Sequence, residues 1–172
     1  MNGLELRLVR ESDLDVAYSL ESACYPPEAA ATREAFRFRE RHFPNYFWSA
    51  WDGGSMVGLA CGVRTSSGGC GEDEVKSAHE AERDGPHLCI LSVAVDSAYR
   101  RGGIGTALMR ALLGQAEKDR LQAVILMCES HLLSFYRELG FRYVGISSSN
   151  HGGIEWHEMK KDLQKENLAP AT

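Results

Sequence analysis

Residues 88 to 106 read L-C-I-L-S-V-A-V-D-S-A-Y-R-R-G-G-I-G-T. Leu88 to Val95 is mostly apolar and reads as a buried strand. After a short polar break, Arg100, Arg101, Gly102, Gly103, Ile104, Gly105 and Thr106 lead into a helix. Its apolar residues Ile104, Ala107, Leu108, Ala111 and Leu112 recur at helical spacing. A strand that feeds a glycine-rich loop at a helix start is a device for holding phosphate. Glycine lets the backbone approach a ligand closely. The first helical N–H groups lack intrahelical partners, and the helix dipole places its positive end there.

Several readings of the loop compete. A P-loop requires a Lys after its last glycine, and none stands here. A dinucleotide fingerprint requires a third glycine where Leu108 stands. What remains is R-x-x-G-x-G, from Arg100 to Gly105, or a turn that uses glycine for geometry alone.

A chain of 172 residues suits one domain with a proper core. A net charge of −5 argues against nucleic acid as a partner. No apolar run approaches the roughly 18 residues of a membrane span, so no membrane partner is expected. Leu4, Leu6 and Leu8 alternate with Glu5 and Arg7, which is unlike a signal peptide. Cys24, Cys61, Cys70, Cys89 and Cys128 are scattered, with no C-x-x-C. Reduced thiols, a cytoplasmic location and no metal are the simplest expectation.

The elements follow in order. Residues 4 to 9 alternate as a strand, and Ser12 looks like the N-cap of a helix running to about Ala23. On that helix Glu21 shares an apolar stripe with Leu14, Ala17 and Tyr18, which suits a cleft wall or a rim position. Two prolines bend the chain before a helix from Thr32 to His42. Tyr46 to Trp51 and Met56 to Val63 form a hairpin around Asp52-Gly53, with Gly58 and Gly62 suggesting close backbone approach. Residues 64 to 86 read as a flexible or functional insertion. Beyond the central unit come a strand over 122–128, a helix over 130–139, a strand over 141–147 and a last strand over 154–159. The expected fold is α/β: a twisted mixed sheet, mostly antiparallel, flanked by helices. One domain is expected over residues 1–160, with a polar tail over 161–172.

R-x-x-G-x-G, and F-Y-R-E-L-G-F at residues 135 to 141, resemble the acetyl-CoA loop and the F-Y-x-x-x-G-F signature of the GNAT acetyltransferase superfamily. Within it the chain resembles the arylalkylamine (serotonin-type) N-acetyltransferases of non-vertebrate type. The segments concerned are E-S-A-C-Y-P-P-E-A-A-A at 21 to 31, His79 to Val93, and L-M-C-E with F-Y at 126 to 136. The resemblance implies acetyl-CoA as co-substrate, held by Arg100, Arg101, Gly102, Gly103, Ile104, Gly105 and Thr106. It also implies pantetheine and thioester along Val93, Ala94 and Val95. Some members carry histidines on the central strand for proton removal; Cys89 and Leu91 stand in those places here, so that base does not transfer.

Acetyl transfer requires a neutral amine and a proton for the departing thiolate. Tyr136 is the expected donor, with core packing as its alternative. His79, His87 and, through water, Glu21 are candidate bases, beside the reading that each is structural or solvent-exposed. Glu21, Tyr25, Pro27, Phe47 and Trp48 are expected to line an amine pocket. The resemblance implies a small primary amine of the arylalkylamine class as substrate, with a monomer or homodimer as the expected assembly. Transfer to a polyamine, an amino acid or a protein N-terminus is the alternative, as is a CoA-binding sensor without turnover.

Overall fold

The computed structural model describes residues 3–66, 83–147 and 153–163. Its elements run β1 (Leu4–Leu8), α1 (Leu14–Cys24), α2 (Arg33–His42), β2 (Phe47–Asp52), β3 (Ser55–Thr65) and β4 (His87–Val95). Then come α3 (Ile104–Lys118), β5 (Ala123–Cys128), α4 (Leu133–Glu138), β6 (Arg142–Ile146) and β7 (His157–Asp162). The strands form one sheet of seven in the order β1-β2-β3-β4-β5-β7-β6. Only β4 and β5 pair in parallel; the other neighbours are antiparallel. The α/β mixed sheet expected from the pattern is therefore the observed fold.

Alternation along β2 and β3, reset where the ladder shifts register near Ala50/Trp51 and Cys61/Gly62, sorts side chains into two cores. One, with Ala50, Val57, Ala60 and Val63, takes in Ile104, Leu108, Met109 and Leu112 of α3 and continues to Tyr136 and Phe141. The other joins Phe47, Leu59, Cys61 and Ala94 to Ala17, Leu20 and Phe36 of the first two helices. Gly58 is where α3 meets the sheet most closely. A Cβ there would lie 2.8 Å from Ile104 Cγ2 and 3.0 Å from Leu108 Cδ1.

Three local expectations change. Asp13, not Ser12, ties down the entry to α1: its Oδ2 accepts from Arg10 N and from Arg7 Nη1, both at 2.9 Å. The last strand begins at His157, because Ser147 N donates to Trp156 O and pairing starts only beyond that bond, at Ile146 opposite His157. It then runs to Asp162, so a boundary after residue 160 cuts through a strand. The polar residues Lys160, Lys161 and Asp162 are held because the backbone ladder, which ignores side-chain polarity, pairs all three with β5 and Lys160 with β6 as well. Cys24, Cys61 and Cys128 are free thiols, whereas Cys89 is disulfide-bonded, which departs from the expectation of reduced cysteines throughout.

Among the described residues, no helix is long and apolar enough to cross a membrane, and no group of three or more His, Cys, Asp and Glu could hold a metal ion.

Candidate functional site

The site begins where β4 and β5 part. They pair from His87 opposite Ala123 to Ile90 opposite Leu126, and β4 then continues without β5. The β3 register jumps from Cys61–Ser92 to Gly62–Ile90, so Leu91 is the extra residue of a bulge that bends β4 at the split. Asp96 N donates to Val57 O on β3 at 2.9 Å. Ladder alternation therefore turns the backbone groups of Ala94 toward β3 and those of Val93 and Val95 toward the gap. The side chains bordering the gap use it accordingly: the Tyr25 hydroxyl donates to Val93 O at 2.7 Å and Arg100 Nε to Val95 O at 3.2 Å.

A cleft of about 780 Å³ runs from this gap to the start of α3. Its walls include Val93, Ala94, Val95, Arg100, Arg101, Gly103, Ile104, Gly105 and Thr106. Gly102 is exposed beside them without being part of the wall. Gly103 caps α3 in the left-handed region, with φ +85°, and no side chain caps the helix. The first N–H groups of a 15-residue helix are thus left for a ligand, beside the exposed Arg100 and Arg101. These features fit an extended ligand carrying phosphates at one end, with acceptors and donors of Val93 and Val95 along the other. Acetyl-CoA meets that description.

A second, far smaller chamber of about 50 Å³ adjoins the split. Glu21, Ile90, Leu91, Ser92, Met127 and Trp156 help to line it. Tyr25, Val93, Glu129, Leu132 and Tyr136 border both the chamber and the cleft. Tyr136 is 5% exposed and leans edge-on against Phe135 and Phe141. Burial, reinforced by the nearby Cys128 thiol, raises its phenol pKa well above the ordinary value. Tyr25 is raised as well, first by burial and then by the Glu21 charge. Both phenols therefore keep their protons at neutral pH.

The other expected pocket residues lie elsewhere. Phe47 is wholly buried in the α1/α2 core, its ring 5.1 Å from Phe36. Alternation sends Trp48 to the opposite face, where its indole donates to Asn45 O at 3.2 Å. Neither ring borders the cleft or the chamber; Phe47 packs in the α1/α2 core and Trp48 against the other one. Pro27 is exposed in the turn after Tyr25 and borders neither space. His79 lies outside the described residues. Glu21 is not a rim residue: at 2% exposure it is among the most buried side chains.

Sequence reasoning passed over Glu129, Trp156, Ser92 and Arg39. Glu129 stands at the end of β5, and Trp156 comes just before β7. Ser92 is a single hydroxyl inside an apolar run. Arg39 follows Phe36 by three residues and so shares its face; both are buried. That spacing was the available signal, hidden by the other charges of α2.

Residues 14–141 match the model of the Acetyltransferase (GNAT) family. The serotonin N-acetyltransferase of Macaca mulatta is 33% identical over 84 residues, 48% of this chain and 41% of the relative. The chain thus matches less than half of that relative's length. Among solved structures, the loading GNATL domain of CurA from Lyngbya majuscula superposes with a TM-score of 0.83 at 14% identity, covering 95% of this chain and 99% of that one. The ribosomal-protein-S18-alanine N-acetyltransferase from Escherichia coli gives 0.68 at 19%, covering 93% and 94%. These two likenesses concern the fold. The family match extends from α1 through the split strands, the glycine loop and Tyr136 to Phe141, and on it the chain belongs to the GNAT acetyltransferase family.

Proposed function

We propose that this chain is an N-acetyltransferase that moves the acetyl group of acetyl-CoA to a small primary amine of the arylalkylamine class. The observation that carries the reading is the junction at Tyr136. A long cleft suited to acetyl-CoA and a small chamber suited to an acceptor meet there, with Tyr25, Val93, Glu129 and Leu132 on the shared border.

Acetyl-CoA supplies the acetyl group as a thioester, already activated toward amines. The amides at the start of α3, with Arg100 and Arg101, bind its phosphates. The backbone of Val93 and Val95 orients the thioester, and a preorganised donor there offsets charge that develops on the carbonyl oxygen. Glu21 and Glu129 give the chamber a negative lining that draws in the substrate ammonium. The ammonium gives up a proton before attack, since only the neutral amine has a lone pair. The new C–N bond forms as the C–S bond breaks, the amine nitrogen sheds its second proton, and the thiolate takes one. Tyr136 gives that proton: burial keeps its phenol protonated, and it borders both spaces. His79, like Glu21, is a candidate for the base.

The small volume of the chamber favours a small amine over a peptide, which needs a longer groove. Its apolar and aromatic members Leu91, Leu132 and Trp156 favour an arylalkyl tail over a polyamine, and the serotonin N-acetyltransferase likeness points the same way. The deciding experiment measures CoA thiol release with tryptamine, phenylethylamine, spermidine and an alanine-led peptide in parallel, from pH 6 to 9. Release with the aromatic amines, rising with pH, is expected. Release with spermidine or the peptide alone would move the substrate class, and acetyl-CoA binding without release would refute turnover of these amines.

A further inference from the structure

Behind the acceptor chamber a buried polar chain joins Glu21 to Ser92 and Arg39, two residues that no step above uses. Arg39 of α2 is 4% exposed, Ser92 of β4 3% and Glu21 of α1 2%. Arg39 Nη1 donates to Ser92 Oγ at 3.3 Å and to Cys61 Sγ at 3.5 Å. Ser92 Oγ donates to Glu21 Oε2 at 3.2 Å, and Ala31 N donates to the same oxygen at 2.9 Å. The direction of this chain follows from its members. Guanidinium has only donors and an ionised carboxylate only acceptors, so the hydroxyl between them accepts from one and donates to the other. The guanidinium also lies 5.6 Å from the Phe36 ring centroid.

A buried cation and a buried carboxylate each lose hydration, and each is tolerated because the other is near. Here they are separated by one hydroxyl. Glu21 and Ser92 both line the chamber, whereas Arg39 stands behind them, outside its wall. Resting on the acetyltransferase reading above, we propose that Arg39 and Ser92 are positioning residues that hold the Glu21 carboxylate charged and oriented toward the substrate amine. Arg39 touches no substrate and acts through Ser92. Its charge balances that of Glu21, and two donors on Oε2 fix the plane of the carboxylate. Among the described residues, the ionisable groups facing this chain include Cys24 and Tyr25 beside Glu21, Cys61 of β3, and Glu129 and Tyr136 across the chamber, with Arg100 next to Cys24. Arg39 is a cation joined to Glu21 through the Ser92 hydroxyl.

The test uses the whole chain with Arg39→Met, Arg39→Lys, Ser92→Ala and Glu21→Gln. Two readouts are taken: kcat and KM for the amine across pH, and the infrared carboxylate band isolated by subtracting the Glu21→Gln spectrum. Arg39→Met and Ser92→Ala should raise the amine KM several-fold and move the acidic limb of the pH profile to higher pH. Acetyl-CoA affinity should stay within twofold, and Arg39→Lys should restore part of the loss, since it returns the charge without the planar fork. In the spectra, the Glu21 carboxylate band of the wild type at neutral pH should give way to a protonated carboxyl band in Arg39→Met. An unmoved limb and an unchanged band in both variants would overturn the proposal. If Arg39→Met fails to bind acetyl-CoA because it misfolds, Ser92→Ala decides by the same two readouts. If the wild type acetylates no amine, the reading of function falls, while the infrared comparison still decides whether Arg39 and Ser92 hold Glu21 charged.

Discussion

The Tyr25 hydroxyl donates to the Val93 carbonyl over 2.7 Å, fastening the turn after α1 to the strand that β5 leaves uncovered. The bond joins residues 68 positions apart and spans the border between cleft and chamber. Removing it with Tyr25→Phe strands an acceptor that faces the gap. A loss of about 1 kcal/mol of stability is expected, the usual net worth of such a bond. The amine KM should rise more than the acetyl-CoA KM, because the turn carrying Tyr25 also leads to Ala31, which holds Glu21. Denaturant unfolding and steady-state kinetics check this. An equal rise in both constants would place Tyr25 with the cleft alone.

Tyr136→Phe keeps the ring and its contacts with Phe135 and Phe141 and deletes only the hydroxyl. Turnover should fall by about 10²-fold, the scale of losing a positioned proton donor, with acetyl-CoA affinity unchanged. Equal losses in turnover and affinity would sink the donor role. The phenol also sets a pH dependence. Its folded pKa is raised by burial, so at high pH the unfolded chain releases this proton first, and stability falls as pH climbs above the ordinary value of 10.0. Below that value both states are protonated and the group is neutral in effect. Unfolding curves from pH 8 to 12 should therefore show less loss above pH 10 in Tyr136→Phe than in the wild type.

At Gly103 a Cβ would meet nothing within 4 Å, so space is not what requires glycine. The requirement is φ +85°, which a β-branched residue adopts only with strain of order 1–3 kcal/mol. Gly103→Val should re-form the turn before α3 and abolish acetyl-CoA binding, while α3, held by its buried face, stays folded. Calorimetric titration with acetyl-CoA and circular dichroism test the two halves of this statement.

Gly58→Ala acts on the same loop from beneath. The new methyl would press on Ile104 Cγ2 at 2.8 Å, at the first residue of α3. A destabilisation of about 1–3 kcal/mol is expected from overpacking, together with a several-fold weaker hold on acetyl-CoA as the start of the helix lifts from the sheet. Normal affinity in a destabilised variant would separate sheet packing from loop placement.

The order of elements was legible in the sequence because each carries its own period: two along β2 and β3, near 3.6 along α3, and an unbroken apolar run where β5 is covered on both faces. The glycine loop was legible because its glycines stand between a strand and a helix, and Tyr136 because F-Y-R-E-L-G-F is a local signature. Local pattern failed for residues whose neighbours are remote in the chain. Phe47 and Trp48 read alike as aromatics, yet the two-residue repeat of a strand sends one to each core and neither to the site. Lys161 and Asp162 read as a loose tail, yet pairing with Val124 and Ala123 of β5 holds them.

The sequence by itself therefore determined the secondary structure, the α/β class and the place of the glycine loop before α3, all of which depend on neighbours a few residues apart. Tertiary structure alone decided that Glu21 is buried, that Ser92 of β4 reaches it while Arg39 of α2 reaches Ser92, and that Tyr25 crosses to Val93. Burial and charge balance depend on which segments meet in space, and that is settled only when the sheet is assembled and the helices close over it.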